Sequence, residues 1–157
     1  MKIFRSRTVR CAQSCIVALF LLLLTALLAE ALAQERAHTW NADDPKLEWA
    51  PCPEFMPEGC GIAVLQGDPA EPNADVFFRL APDTTVPMHW HSSAERMILI
   101  SGQMQVNYEG QAPVVLTPGT YAYGPADLPH ETYCEAGEEC ILFIAFEGPV
   151  DAMPTEE

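Results

Sequence analysis

Residues Pro87–Gly102 read P-M-H-W-H-S-S-A-E-R-M-I-L-I-S-G, and Gly119–Cys134 read G-T-Y-A-Y-G-P-A-D-L-P-H-E-T-Y-C. Three of the chain's four histidines fall in these two stretches. His89 and His91 are two residues apart, so on a strand their side chains leave the same face. Glu95 follows after a short interval that a turn can fold back toward the pair, and His130 sits in a second strand-like run bounded by prolines. Three neutral imidazoles each offer one nitrogen lone pair, and a carboxylate adds a hard anionic oxygen. That donor set suits one divalent first-row ion, Fe(II), Mn(II), Ni(II), Cu(II) or Zn(II), and spacing does not choose among them. Four protein donors leave two positions of an octahedral ion open for a small molecule.

Around this core the sequence from Gly61 onward breaks into short apolar runs separated by turn chemistry. Strands are expected at residues 62–66, 76–80, 86–91, 96–100, 103–108, 114–116, 120–123, 130–134 and 140–146. G-D-P, A-P-D, S-G, Y-E-G, T-P-G and E-A-G lie between them. Beyond the first 33 residues no helical period is sustained over three turns. Many short strands at near-even spacing predict an all-β sandwich or barrel in one domain, over residues 61–150. Residues 34–60, rich in proline and carrying Trp40 and Trp49, are expected to form an irregular arm over that domain. Residues 151–157 are expected to fray as a disordered tail.

The first 33 residues read as a signal peptide. Lys2, Arg5, Arg7 and Arg10 form a basic start, an apolar run spans Ile16 to Ala29, and Ala31-Leu32-Ala33 supplies a small-x-small cleavage site. The alternative of an uncleaved anchor is opposed by Glu30 and by the shortness of the apolar run. The protein is therefore expected to be exported, periplasmic or secreted, with no membrane contact after cleavage. The formal net charge is already −14. The leader holds four basic residues and a single acid, so the exported part is more acidic still. That balance excludes nucleic acid as a natural partner and favours solubility. Cys11 and Cys15 leave with the leader; Cys52, Cys60, Cys134 and Cys140 remain. An even number in a small exported domain reads as two disulfides. Local pairing, Cys52 with Cys60 and Cys134 with Cys140, is the simplest of three connectivities. A thiolate metal site is the competing reading, weakened by the absence of C-x-x-C spacing.

The two opening stretches resemble the paired motifs of the cupin superfamily. The first motif asks for His-x-His, a glutamate after three or four residues and a glycine after six more; His89, His91, Glu95 and Gly102 stand in that register. The second asks for glycine, then Pro-x-Gly, then histidine and asparagine; Gly119, Pro125 and His130 match, while Asp127 replaces the inner glycine and Cys134 the asparagine. Asp83 stands where the first motif opens with glycine. The resemblance spans residues 75–147 and implies a cupin-type β-barrel, a double-stranded β-helix or jelly roll. It implies metal ligation by His89, His91, Glu95 and His130, and commonly a homodimer formed through outer strands. Cupins include dioxygenases, decarboxylases, isomerases and lyases, and also non-catalytic binding and sensing modules. The implied function is thus an exported metal-dependent enzyme on a small organic molecule chelated at the ion, with dioxygenase-type cleavage the first reaction to test. The rivals are a small-molecule-binding or sensing protein and a purely structural metal site. Tyr121, Tyr123, Met104 and Phe143 are candidate substrate-binding residues lining the cavity. No Ser-His-Asp order, phosphate loop or dinucleotide fingerprint competes with this reading.

Overall fold

A computed structural model of the chain describes residues 36–155. The expected leader, with Cys11 and Cys15, lies outside the described residues. Residues 36–39 are irregular and exposed, and the compact unit begins at Trp40. Its elements are all strands: β1 (Trp49–Pro51), β2 (Gly61–Gln66), β3 (Asp75–Leu80), β4 (Thr84–Trp90), β5 (Glu95–Ser101), β6 (Met104–Tyr108), β7 (Val114–Leu116), β8 (Tyr121–Gly124), β9 (His130–Cys134), β10 (Cys140–Phe146) and β11 (Met153–Pro154). Among the described residues there is no helix, and so none long and apolar enough to cross a membrane.

The strands form two antiparallel sheets, one in the order β1-β2-β3-β10-β5-β8 and the other β11-β4-β9-β6-β7. Their inner faces share one apolar core. Val76, Phe78 and Leu80 of β3, Met97 and Leu99 of β5, and Leu142 and Ile144 of β10 meet Val86 of β4, Met104 and Val106 of β6 and Leu116 of β7. The period-two alternation of each strand dictates this, because a strand between core and surface buries every second side chain. On β5 the rule is plain: Glu95, Met97 and Leu99 are buried, whereas Arg96, Ile98 and Ile100 are exposed.

The outer face of the larger sheet carries a second, smaller cluster. Ala63, Phe77 and Ile141 point outward there and are covered by Leu47 and Trp49 of the arm. The Arg79 guanidinium stacks over the Trp49 ring, 4.4 Å from its centroid, and the Trp40 indole N–H donates to the Leu65 carbonyl at 3.1 Å. Residues 40–60 thus contain one short strand and a packed wall, and are less irregular than their composition predicts. Cys52 is bonded to Cys60, and Cys134 to Cys140.

The tail departs from expectation. Met153 and Pro154 pair with Trp90 and His89 as β11, and the Thr155 backbone N–H donates to the Met88 carbonyl at 3.3 Å. Residues 151–155 therefore do not fray, because the free edge of β4 offers them backbone partners. The two aspartates that replace motif glycines keep the glycine backbone: φ is 57° at Asp83 and 61° at Asp127. Aspartate is among the few side chains that tolerate this left-handed region. Asp83 also accepts the Tyr133 hydroxyl at 2.7 Å, and the Asp127 N–H donates to the His91 carbonyl at 2.8 Å. At Gly102, φ is 74° and a Cβ would come within 2.9 Å of the Cys140 Sγ, so glycine there serves both turn and packing.

Candidate metal centre

The site begins with an interruption in β4. Val86 pairs with Thr132 and His89 with His130, so three steps on β4 oppose two on β9. This is a β-bulge at Pro87 and Met88, and Pro87 suits it because it has no N–H to contribute to a ladder. Uninterrupted alternation would put Val86 and His89 on opposite faces. With the bulge, Val86, His89 and His91 are all buried inward. His130 opens β9 directly across from His89, and Glu95 opens β5.

The three imidazoles meet. One ring nitrogen from each of His89, His91 and His130 lies within 4.8 Å of the others, and all three residues are buried. The Glu95 Oε2 is 3.4 Å from the His91 Nε2 and 3.8 Å from the His130 Nε2. Each ring is oriented by a backbone carbonyl. The His89 Nδ1–H donates to Pro87 at 2.8 Å, the His130 Nδ1–H to Leu128 at 3.2 Å, and the His91 Nδ1–H to Asp151. A carbonyl only accepts, so the proton sits on Nδ1 and the Nε2 lone pair faces inward. The Asp151 carboxylate in turn accepts from the Ser92 N–H at 2.9 Å and from the Ser92 hydroxyl.

The electrostatics fit a cation. Burial, reinforced by the neighbouring imidazoles His130 and His91, pushes His89 down to about 3. Burial holds His130 down at about 4 and lowers His91 as well. All three rings are therefore neutral donors at neutral pH. Burial, with a smaller contribution from the Asp151 charge, pushes Glu95 up to about 8. A carboxyl so placed ionises readily only when a positive charge sits beside it. The Tyr108 hydroxyl, buried beside this group with its ring 5.4 Å from His130, has no hydrogen-bond partner. Three buried lone pairs, a buried carboxyl and an orphaned hydroxyl together fit a divalent ion.

Beside the donors lies a cavity of about 110 Å³. Its walls are apolar side chains of the inner sheet face, among them Ile62, Val76, Phe78, Leu142 and Ile144. Pro53 and Met56, inside the loop closed by Cys52 and Cys60, form one rim, and Val150, Asp151 and Ala152 of the tail form another. The four aromatic and sulfur-bearing candidates fall elsewhere. Met104 is wholly buried in the core but does not border the cavity, and Phe143 packs in the outer cluster under the arm. Tyr121 and Tyr123 are 59% and 50% exposed on the outer face of β8, opposite Ile98 and Arg96. Strand parity decides this: on β8 it is Ala122 and Gly124, paired with Met97 and Glu95, that point inward. The cavity residues missed in sequence come from the disulfide loop and the tail, two segments with no strand period to mark a face.

The comparisons with known proteins agree with this geometry. Residues 38–151 match the model of the ChrR Cupin-like domain. No curated protein matches the chain in sequence. Among solved structures, the polyketide cyclase RemF from Streptomyces resistomycificus superposes with a TM-score of 0.62 at 17% identity, over 79% of this chain and 87% of that one. The DMSP lyase DddQ from Ruegeria pomeroyi DSS-3 gives 0.61 at 18%, over 69% and 61%. The Lactobacillus farciminis oxalate decarboxylase in its formate complex gives 0.56 at 17%, over 69% and 33%. The chain spans 63% and 61% of the length of two DMSP lyase structures that it matches. Identities this low establish a shared fold. The chain, by the match over most of its length, belongs to the ChrR cupin-like family of the cupin superfamily.

Proposed function

We propose that the protein is an exported, metal-dependent cupin enzyme that acts on a small organic molecule chelated at one divalent ion held by His89, His91, Glu95 and His130. The observation that carries this reading is the convergence of three carbonyl-oriented imidazoles on the floor of an apolar cavity. When bound, the ion would supply Lewis-acid polarisation of the ligand's oxygens and, if redox-active, electron transfer. The chain's own residues do the rest. The imidazoles and Glu95 fix the ion, the Asp151 carbonyl holds the His91 ring, and the aliphatic walls exclude water from the ligand's far end. That several structural neighbours are named as a lyase, a cyclase and a decarboxylase supports chemistry on small molecules. Oxygen-dependent C–C cleavage is the reaction to test first, by oxygen uptake of the metal-loaded mature protein with a panel of diketones, flavonols and hydroxy acids. Uptake that stops when the ion is chelated supports the enzyme. Saturable binding without turnover of any panel member would instead favour a binding or sensing protein, a reading encouraged by how few polar groups other than the four donors, Thr132 and Asp151, border the cavity. An open cavity above the donors argues against a purely structural ion.

Export is supported by the two disulfides, which are compatible with an oxidising compartment. A homodimer is supported by the apolar surface that the arm leaves uncovered: Ile98, Ile100, Tyr121 and Tyr123 are all exposed on the outer face of β5 and β8. Sedimentation at twice the chain mass is the expected result, and a monomer at micromolar concentration would remove this part of the reading.

A further inference from the structure

The cavity constrains its occupant more tightly than the donor set does. An engineered apolar cavity of about 150 Å³ holds benzene, so about 110 Å³ admits a body of roughly four or five carbons. The charged side chains on its border, among the described residues, are acidic ones, Glu95 and Asp151, besides the neutral imidazoles; no lysine or arginine is present. The Asp151 carboxylate is already occupied by the Ser92 N–H and hydroxyl. A second negative charge on the ligand, away from the ion, would therefore be buried against aliphatic walls with no partner, which is strongly unfavourable. One rim is adjustable. Met56 is half-buried, packs against the core and sits in a loop whose ends are tied by the Cys52–Cys60 bond, with Phe55 beside it 6.1 Å from the His89 ring.

We infer that the site takes a short, apolar-bodied monoanion with a single chelating head, such as a branched α-keto acid, and that Met56 sets the length of the body it accepts. The inference rests on the metal reading above and narrows it. A doubly charged ligand is rejected for lack of a distal cation, and a long chain because Met56 borders the cavity and would have to give way to it. Methionine is unbranched and flexible, so replacing it changes the space without disturbing the strands.

Isothermal titration of metal-loaded protein, with metal content measured on the same samples, tests this. α-Ketoisovalerate is expected to bind at least tenfold more tightly than α-ketoglutarate, which shares its head but carries a second carboxylate, and than α-ketooctanoate, which carries a longer chain. Met56→Ala is expected to recover at least tenfold of the α-ketooctanoate affinity. Met56→Trp is expected to weaken α-ketoisovalerate at least tenfold with metal content unchanged. Equal or tighter binding of α-ketoglutarate to fully loaded protein overturns the inference while leaving the metal reading standing. So does a length preference that ignores both Met56 variants. Protein that takes up no metal at all removes the reading and the inference together.

Discussion

At the scale of single residues, burial moves the titration of all four donor side chains away from the values they have in water. The linkage between these states and folding has a definite sign. Ordinary imidazoles protonate near 6.5, whereas folded His89 and His130 resist down to about 3 and about 4, and His91 is lowered too. The unfolded chain therefore binds more protons as pH falls below 6.5, and stability is lost in that direction. Glu95 acts oppositely. Its folded carboxyl keeps the proton up to about 8, while the unfolded one releases it near 4.5, so stability is lost as pH rises between those values. Between 4.5 and 6.5 three imidazoles outweigh one carboxyl. Metal-stripped protein should thus be most stable near pH 6.5, as read by urea midpoints across a pH series. Glu95→Gln should abolish the decline on the alkaline side. A decline of equal slope in that variant would show that the buried carboxyl is not its cause.

At the scale of elements, two local departures from regular strand geometry build the centre. The bulge at Pro87 and Met88 turns His89 and His91 inward, and β11 brings the Asp151 carbonyl to the His91 ring. Partners that orient metal-binding imidazoles are worth about ten- to a hundredfold in affinity. Removing residues 149–157 should therefore weaken metal binding by that order while the rest of the unit stays folded, as judged by chelator competition alongside far-UV circular dichroism. Unchanged affinity would mean that β11 has no hold on the site. These elements also mark where sequence reading succeeds and fails. Nine of the strands were legible, because alternating apolar residues and G-D-P, S-G or T-P-G turns fix each one locally. The convergence of the histidines was expected from their spacing together with the resemblance to the cupin motifs, and the three rings do meet. The tail was not, since D-A-M-P-T-E-E has no period and is ordered only by the free edge of β4. Tyr121 and Tyr123 were misplaced for a related reason: alternation says that they share a face, but not which face looks inward. Pro53 and Met56 reach the cavity because a disulfide folds their loop over it, which no local pattern states.

At the scale of the whole molecule, two sheets share one core, and two disulfides tie down the segments that strand pairing does not. Cys52–Cys60 closes the loop at the cavity rim, and Cys134–Cys140 joins the end of β9 to the start of β10 beneath Gly102. Both close short loops, and removing such bonds commonly costs about 2–4 kcal/mol each. Thiol titration of native protein spanning residues 34–157 should find no free thiol, and reduction should lower the denaturant midpoint. Four reactive thiols in folded protein would contradict the pairing. The net charge of −14 disfavours contact with polyanions, and among the described residues the buried cluster of His89, His91 and His130 is the group able to hold a cation. The most direct test is metal content combined with X-ray absorption on protein spanning residues 34–157 and its His91→Ala variant. The expected result is one divalent ion per chain bound by three imidazole nitrogens and a carboxylate oxygen, with occupancy collapsing in the variant. Full occupancy in His91→Ala, or an ion lacking imidazole in its first coordination sphere, would contradict the proposed centre.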